Sequence, residues 1–369
     1  MKKNSLKYQK RIKKFKHNLN TFHLDSFLIT EPLNLKYLSG FEIEGILLFT
    51  ENENYIISDS SFETELSIQK LFKVVISSDY IKSVCEIVKK YNLKALGFED
   101  NIKYYLYDEL DEKCSAAIIS FADLVERQRA IKEENEIQKL KKAARLAAQG
   151  YEFILANSLK QRSEKQIADL LDFFMKNHGA QKASFEPIIA SGLNALAPHH
   201  LVSDQLIKDH ELVLVDFGYF VEDYTFDVSR TFGIGLQNKK IYDFYLRVYE
   251  AQQKAFEIIK EGTPIFKLER AVRHYLKKYD LDQYFTHGLG HGIGLSVHEY
   301  PFLTANNEEL LQTNEVITIE PGIYLPKIGG IRLEDDILVT KKGYQRLTSF
   351  SNKYFEVWIS NYILDKITF

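Results

Sequence analysis

The chain has 369 residues, 45% of them apolar and 27% charged, with a formal net charge of −3. That length allows two domains with buried cores, the composition argues against extended disorder, and the charge offers no electrostatic basis for a nucleic-acid partner. The only cysteines, Cys85 and Cys114, are too few and too far apart in sequence for a disulfide framework or a thiolate zinc site. This suits a reducing cytoplasm and leaves oxygen and nitrogen to hold any metal.

The first stretch, MKKNSLKYQKRIKKFKHNLNTFHL, carries eight Lys/Arg and no acid before Asp25. No apolar export core follows it. Leu6, Ile12, Phe15 and Leu19 recur near helical spacing, which predicts an amphipathic helix with a solvated basic face. Nowhere does an uncharged apolar run approach the roughly 18 residues of a spanning helix. A soluble cytoplasmic protein with no membrane partner is therefore expected.

From Asp25 to about Ser120, β-rich runs (SFLIT, GILLF, YIIS, KVVIS, ALGFE) alternate with polar turns and with the amphipathic YIKSVCEIVKKY, predicting a first α/β domain. The charged RQRAIKEENE then leads into a helix on which Ile137, Leu140, Ala144, Ala148 and Tyr151 keep the period. The boundary is expected near residue 125, giving domains 1–125 and 126–369. Ser163 and Gln166 form a capping box before IADLLDFFMKNH, which stops at Gly179. A further helix covers 240–260 and stops at Gly262, and Thr263-Pro264 opens IFKLERAVRHYLKKY. Strands lie between and after these helices: ELVLVDFGYF, DYTFDVSRTF, EVITIEPGIYL and GIRLEDDILVT. The second domain is thus expected to be α+β with a mostly antiparallel sheet.

Four of these strands carry an acid inside or at the end of an apolar run: Asp216, Asp227, Glu320 and Glu334. A buried unpaired carboxylate is costly, and several packed together repel unless a cation compensates. A turn at 221–223 places Asp216 and Asp227 on facing strands, opposite each other or offset by one bulge. A nitrogen ligand comes from FTHGLGHGIGLSVHE, where His287, His291 and His298 stand at intervals of four and seven and every second residue from Gly288 to Gly294 is glycine. Alternating glycines argue against a helix. In an extended chain residues four apart lie roughly 13 Å apart, so one histidine ligates a metal and the others face substrate. Glycines between them let backbone approach the site closely.

DFGYFVEDYTFDVSRTF, HGLGHGIGLSVHE, TIEPGIY and GIRLED, in this order, resemble the metal-binding signature of the M24 metallopeptidases with the pita-bread fold. ASGLNALAPHH, RAIKEENEIQKLKKAA, LNLKYLSGFE and YIISD resemble the creatinase/prolidase arrangement, in which a smaller α/β domain precedes the catalytic one. The resemblance implies a curved, mostly antiparallel pita-bread domain and two divalent ions, Mn²⁺ or Co²⁺ favoured, with Zn²⁺ or Fe²⁺ as alternatives. It assigns Asp216, Asp227, His291, Glu320 and Glu334 as ligands, with Asp227 and Glu334 bridging. His199, His287, His298 and Arg332 fall on positions that handle substrate or support the ligands. It implies an Xaa-Pro peptidase acting on peptides with proline second, aminopeptidase P-like first and prolidase as the alternative. Glu320 is expected to move the proton, with His298 and His199 at the carbonyl. Arg332 is expected to orient Glu334 or to meet a carboxylate. A homodimer is implied by the same resemblance. An inactive binding domain is disfavoured because all five ligand positions are filled. Two departures stand out: Asp223-Tyr224 replaces Gly-Tyr, and Phe226 replaces Ser. Asp tolerates positive φ, and Phe226 alternates away from Asp227, so hairpin and ligands are expected to survive.

Overall fold

The computed structural model describes residues 2–156, 159, 161–235 and 238–348. The chain divides into two compact units, Met1–Arg129 and Ala130–Phe369.

In the first unit six strands form one sheet in the order Lys73–Ile76, Asn54–Ser58, Gly45–Thr50, Ser26–Ile29, Ala95–Glu99, Ala117–Phe121. The two pairs made by Gly45–Thr50 are antiparallel and the other three are parallel. Short connections suffice for the former, whereas parallel neighbours need crossovers such as the helix Tyr80–Lys90. That helix buries Ile81, Val84 and Val88 against Leu28, Ile57 and Leu96 of the sheet.

The basic N-terminal stretch is helical over Lys2–Thr21. Ile12, Phe15 and Leu19 are buried as their spacing requires, and Phe15 packs on Phe27 and Phe49. Leu6, by contrast, is 55% exposed. Nor is the basic face wholly solvated: Arg11 is buried, lies 3.9 Å over the Tyr37 ring and donates to the Tyr37 carbonyl. A guanidinium's flat face and fixed donors allow such burial where an ammonium would resist it. Cys85 on Tyr80–Lys90 and Cys114 at the end of Tyr104–Lys113 pack against the same core, and both are free.

In the second unit every named strand pair is antiparallel. One sheet runs Val228–Gly233, Leu212–Phe217, Ile188–Ser191. A five-stranded sheet runs Glu299–Leu303, Gly290–Gly292, Val316–Ile319, Asp335–Thr340, Gly343–Arg346, and Gly322–Leu325 pairs with Gly329–Arg332. Two apolar layers cover these sheets. Helices Glu134–Ala156 and Glu164–Asn177 pack on the Leu212–Phe217 side through Ala147, Tyr151 and Leu171, while Lys239–Phe256 and Ile265–Lys277 pack on Ile317, Ile319 and Ile337 through Val248, Leu268 and Val272. The Ser163–Gln166 capping box forms. The helix expected to continue to residue 260 ends at Phe256, and the chain turns through Gly262, at φ 81, into Pro264, the N-cap of the next helix. No described helix is long and apolar enough to cross a membrane.

Candidate metal centre

Leu212–Phe217 is buried at every position, so its side chains enter the interior on both faces and Asp216 is carried inside with them. Ser229, not Asp227, stands opposite Asp216 in the register, with Val228 opposite Phe217. Asp227 is two residues removed because the chain leaves the sheet after Phe217 to form a separate hairpin, Tyr219–Val221 with Tyr224–Thr225. Glu222 and Asp223 close that hairpin at φ 52 and 72, the paired positive φ of a two-residue turn whose twist suits its strands. Phe226 is fully buried against Phe217 and Tyr219 and turns Asp227 the other way.

The glycine run is extended, with Gly290–Gly292 as a central strand. A Cβ on Gly290 would collide with the Thr318 carbonyl oxygen and one on Gly292 with that of Tyr300, so neighbouring strands close in only because both positions are bare. The extended spacing does not reach His298, however. A register shift at His291/Gly292 and the turn before Glu299 fold the chain back, and the two rings meet edge-on with centroids 4.3 Å apart. His291 and His298, seven residues apart in sequence, thus meet.

The His291 Nε2 atom lies 3.7 Å from Asp227 Oδ2 and 3.6 Å from Glu320 Oε1. His287 Nδ1 is 3.9 Å from the other Glu320 oxygen. Three overlapping groups could each hold an ion: Asp216, Asp227 and Glu334; His291, Glu320 and Glu334; and Asp227, His291 and His298, with ligand atoms within 4.8 Å of one another in each. All five residues anticipated as ligands fall in these groups. His298 joins one as well, which the spacing did not anticipate, while His287 joins none. His199 is exposed on the loop before Leu201.

Arg332 is buried and occupied. Its Nε donates to Ser229 Oγ at 2.8 Å, Nη1 to Tyr324 Oη at 2.6 Å and to the Pro198 carbonyl at 3.2 Å, and Nη2 to Asp216 Oδ2. Ser229 Oγ in turn donates to Glu334 Oε2 at 2.8 Å. Arg332 therefore contacts Asp216 directly and Glu334 only through Ser229. Tyr324 Oη also sits 3.0 Å from His287 Nε2. Neither Tyr324 nor Ser229 stood out in the sequence, although both lie inside quoted motifs. Asp336, buried beside Glu334, accepts the Asp227 N–H at 3.3 Å.

Burial, followed by the neighbouring Glu334 charge, pushes the Asp227 carboxyl well up. Burial and the same neighbour raise Glu320, and burial with Asp216 raises Glu334 to about 8. Burial lowers His291 to about 3, reinforced by His298, and lowers His287 to about 4, reinforced by Arg332; His298 is lowered too. Neutral imidazoles keep a lone pair for a cation. Asp216 Oδ1, Asp227 Oδ1 and Glu334 Oε1 are buried with no hydrogen-bond partner among the described residues. A buried acceptor left unmatched costs about 1–3 kcal/mol, more when charged, and a bound cation removes that cost for all three. The donor set fits a divalent metal.

Clustered buried carboxylates with one or two neutral imidazoles, carried in or next to antiparallel strands, define a metal centre of the kind that activates water for hydrolysis. Residues 138–341 match the metallopeptidase family M24, and residues 11–131 match the Creatinase/Prolidase N-terminal domain. The chain belongs to metallopeptidase family M24. It is 35% identical to an Xaa-Pro dipeptidase of Pyrococcus horikoshii over 92% of this chain and 96% of that one. Among solved structures, an Xaa-Pro dipeptidase from Bacillus anthracis superposes with a TM-score of 0.89 at 33% identity, covering 93% of this chain and 98% of the other. An X-Pro aminopeptidase from Thermotoga maritima gives a TM-score of 0.80 at 31% identity over 89% and 96%.

Proposed function

We propose that this chain is an Xaa-Pro dipeptidase that uses two divalent ions, Mn²⁺ or Co²⁺ by the oxygen-rich donor set with a single assigned imidazole. The aminopeptidase P-like specificity placed first from the sequence becomes the second choice, because both the Pyrococcus and the Bacillus relatives are dipeptidases. The Thermotoga relative keeps the aminopeptidase in play. The observation that carries the proposal is the set of three buried carboxylate oxygens without partners, on Asp216, Asp227 and Glu334.

Asp216, Asp227, His291, Glu320 and Glu334 would hold the ions. When bound, the ions lower the pKa of water and polarise the scissile carbonyl. An Xaa-Pro bond is a tertiary amide without an N–H, so recognition must come from the carbonyl and the chain ends. Glu320 keeps 19% of its side chain exposed. It takes a proton from the attacking water and delivers it to the proline nitrogen, which must be protonated to leave. His298 and His199 donate hydrogen bonds to the carbonyl oxygen as charge builds on it. His287, held by Tyr324, is assigned to substrate binding. A homodimer is proposed as the assembly.

The test is product analysis on an Xaa-Pro dipeptide and its Xaa-Pro-Yaa-Zaa counterpart side by side. Preferential cleavage of the dipeptide supports the dipeptidase, and preferential cleavage of the longer peptide transfers the assignment to an aminopeptidase.

A further inference from the structure

Glu164 opens the helix Glu164–Asn177 directly after the N-cap Ser163 and is fully buried. An acid in the first turn suits the helix dipole, yet this one turns its carboxylate to Ser191, the last residue of the strand Ile188–Ser191, and to the loop that follows it. Oε1 accepts from the Ser191 N–H at 2.7 Å, Ser191 Oγ at 3.0 Å and Asn194 Nδ2 at 3.0 Å. Oε2 accepts from Ser203 Oγ at 2.7 Å, the Ser203 N–H at 3.2 Å and Asn194 Nδ2 at 3.2 Å, and meets His200 Nε2 at 2.8 Å. Burial pushes this carboxyl up, but the donors from Ser203, Ser191, His200 and Asn194 outweigh it and hold it below its ordinary value. One carboxylate therefore ties residue 191 to residue 203, the two ends of the loop that carries His199.

The His199 ring has no hydrogen-bond partner among the described residues, and the residue is exposed. Its placement is inherited from its neighbours. On one side Arg332 Nη1 holds the Pro198 carbonyl at 3.2 Å. On the other, His200 is held by Glu164, and its N–H closes a turn to the Ala197 carbonyl at 3.1 Å. His199 is suspended between a clamp that also bonds Asp216 and a clamp whose hydrogen bonds involve none of the ion-holding residues. Removing the second is expected to free the ring while the ion-holding residues keep their bonds.

We infer that Glu164, acting through His200 and Ser203, is a positioning residue for His199. This rests on the reading that His199 meets the substrate carbonyl. Glu164→Gln keeps the size of the side chain but turns an amide NH₂ toward donors that need an acceptor. Displacing a reacting group by about 1 Å can cost around 10²-fold, so kcat on an Xaa-Pro dipeptide is expected to fall about 10–100-fold with bound metal unchanged. A helix-end acid serving stability alone would not interact with His199, and a double-mutant cycle separates the two cases. In the His199→Ala background the same Glu164→Gln change is expected to cost less than about threefold. Ser203→Ala, which deletes one side-chain donor and leaves the carboxylate in place, is expected to show a smaller loss with the same dependence on His199. An equal loss in both backgrounds, or no loss in the wild-type background, overturns the inference.

Amide hydrogen exchange over 192–203 supplies a readout that needs no turnover. Glu164→Gln is expected to speed it at least about tenfold while the strand Leu212–Phe217 stays protected, and unchanged exchange in the loop overturns the anchoring. A wild-type chain inert toward Xaa-Pro dipeptides contradicts the functional reading instead, and the exchange rates then decide whether Glu164 holds the loop.

Discussion

Replacing Arg332 by Met keeps most of the side-chain volume and deletes the charge. The guanidinium is buried and bonded to Asp216, Ser229, Tyr324 and the Pro198 carbonyl. Without metal, removing one partner of a buried ion pair leaves an uncompensated charge, and about 3–5 kcal/mol is lost. At about 2–4 °C per kcal/mol for a domain of 150–250 residues, the melting transition of the second unit drops by roughly 6–20 °C. With metal bound, the cations compensate Asp216 and the cost shrinks toward that of the three neutral hydrogen bonds, about 1 kcal/mol each, so the drop should be smaller than in the metal-free protein. The assay is calorimetry of wild type and Arg332→Met at about pH 8, each metal-free and metal-saturated. An equal drop in both states would show that Arg332 does not share Asp216 with a cation.

Glu320→Gln is expected to retain bound metal and lose about 10²–10⁴-fold in turnover, the usual range for general acid–base help; near-normal hydrolysis at full metal occupancy excludes the proton-transfer role. His291→Ala should lower metal content measured by elemental analysis, whereas His298→Ala should keep it and lose turnover, and the reverse pattern would exchange their roles. Phe226→Ala, which empties a fully buried site between Phe217 and Tyr219, should cost about 3–5 kcal/mol in denaturant unfolding with the metal stoichiometry preserved. In the first unit, burial, reinforced by Glu126, raises Glu99 to about 7 even though Asn34, Glu31 and Thr30 donate to it. A raised carboxyl favours the fold while protonated, so its contribution is complete below about pH 4.5 and is lost as pH rises through about 7. Glu99→Gln should flatten that dependence by about 3 kcal/mol, read by hydrogen exchange of the strand Ser26–Ile29 across the same window.

What the sequence revealed is what local pattern can carry. Asp216, Asp227, Glu320 and Glu334 are conspicuous because acids interrupt apolar strands. The glycine spacing around His291 marks a close approach that the Thr318 and Tyr300 carbonyls then make. The capping box at Ser163 and the positive φ at Asp223 are likewise properties of a few neighbouring residues. What stayed hidden depends on contacts between residues far apart in the chain. Arg332 reaches Asp216 across 116 residues and Ser229 across 103, and nothing near Arg332 in sequence favours one carboxylate over another. Asp216 and Asp227 do not face each other because the chain changes sheets between them, a step that alternation alone does not mark. The return of His298 to His291 needed a register shift, and the packing of Cys85 and Cys114 on one core needed two helices to cover it.

The central claim is that buried carboxylates without partners exist to hold two ions that activate water at an Xaa-Pro bond. Its most direct test is the rate of Xaa-Pro dipeptide hydrolysis measured against the number of ions bound per chain, titrating Mn²⁺ or Co²⁺ into rigorously metal-free protein. The expected result is no turnover without metal and full turnover as occupancy approaches about two ions per chain. Full turnover in the metal-free protein, or a plateau at one ion, would contradict it.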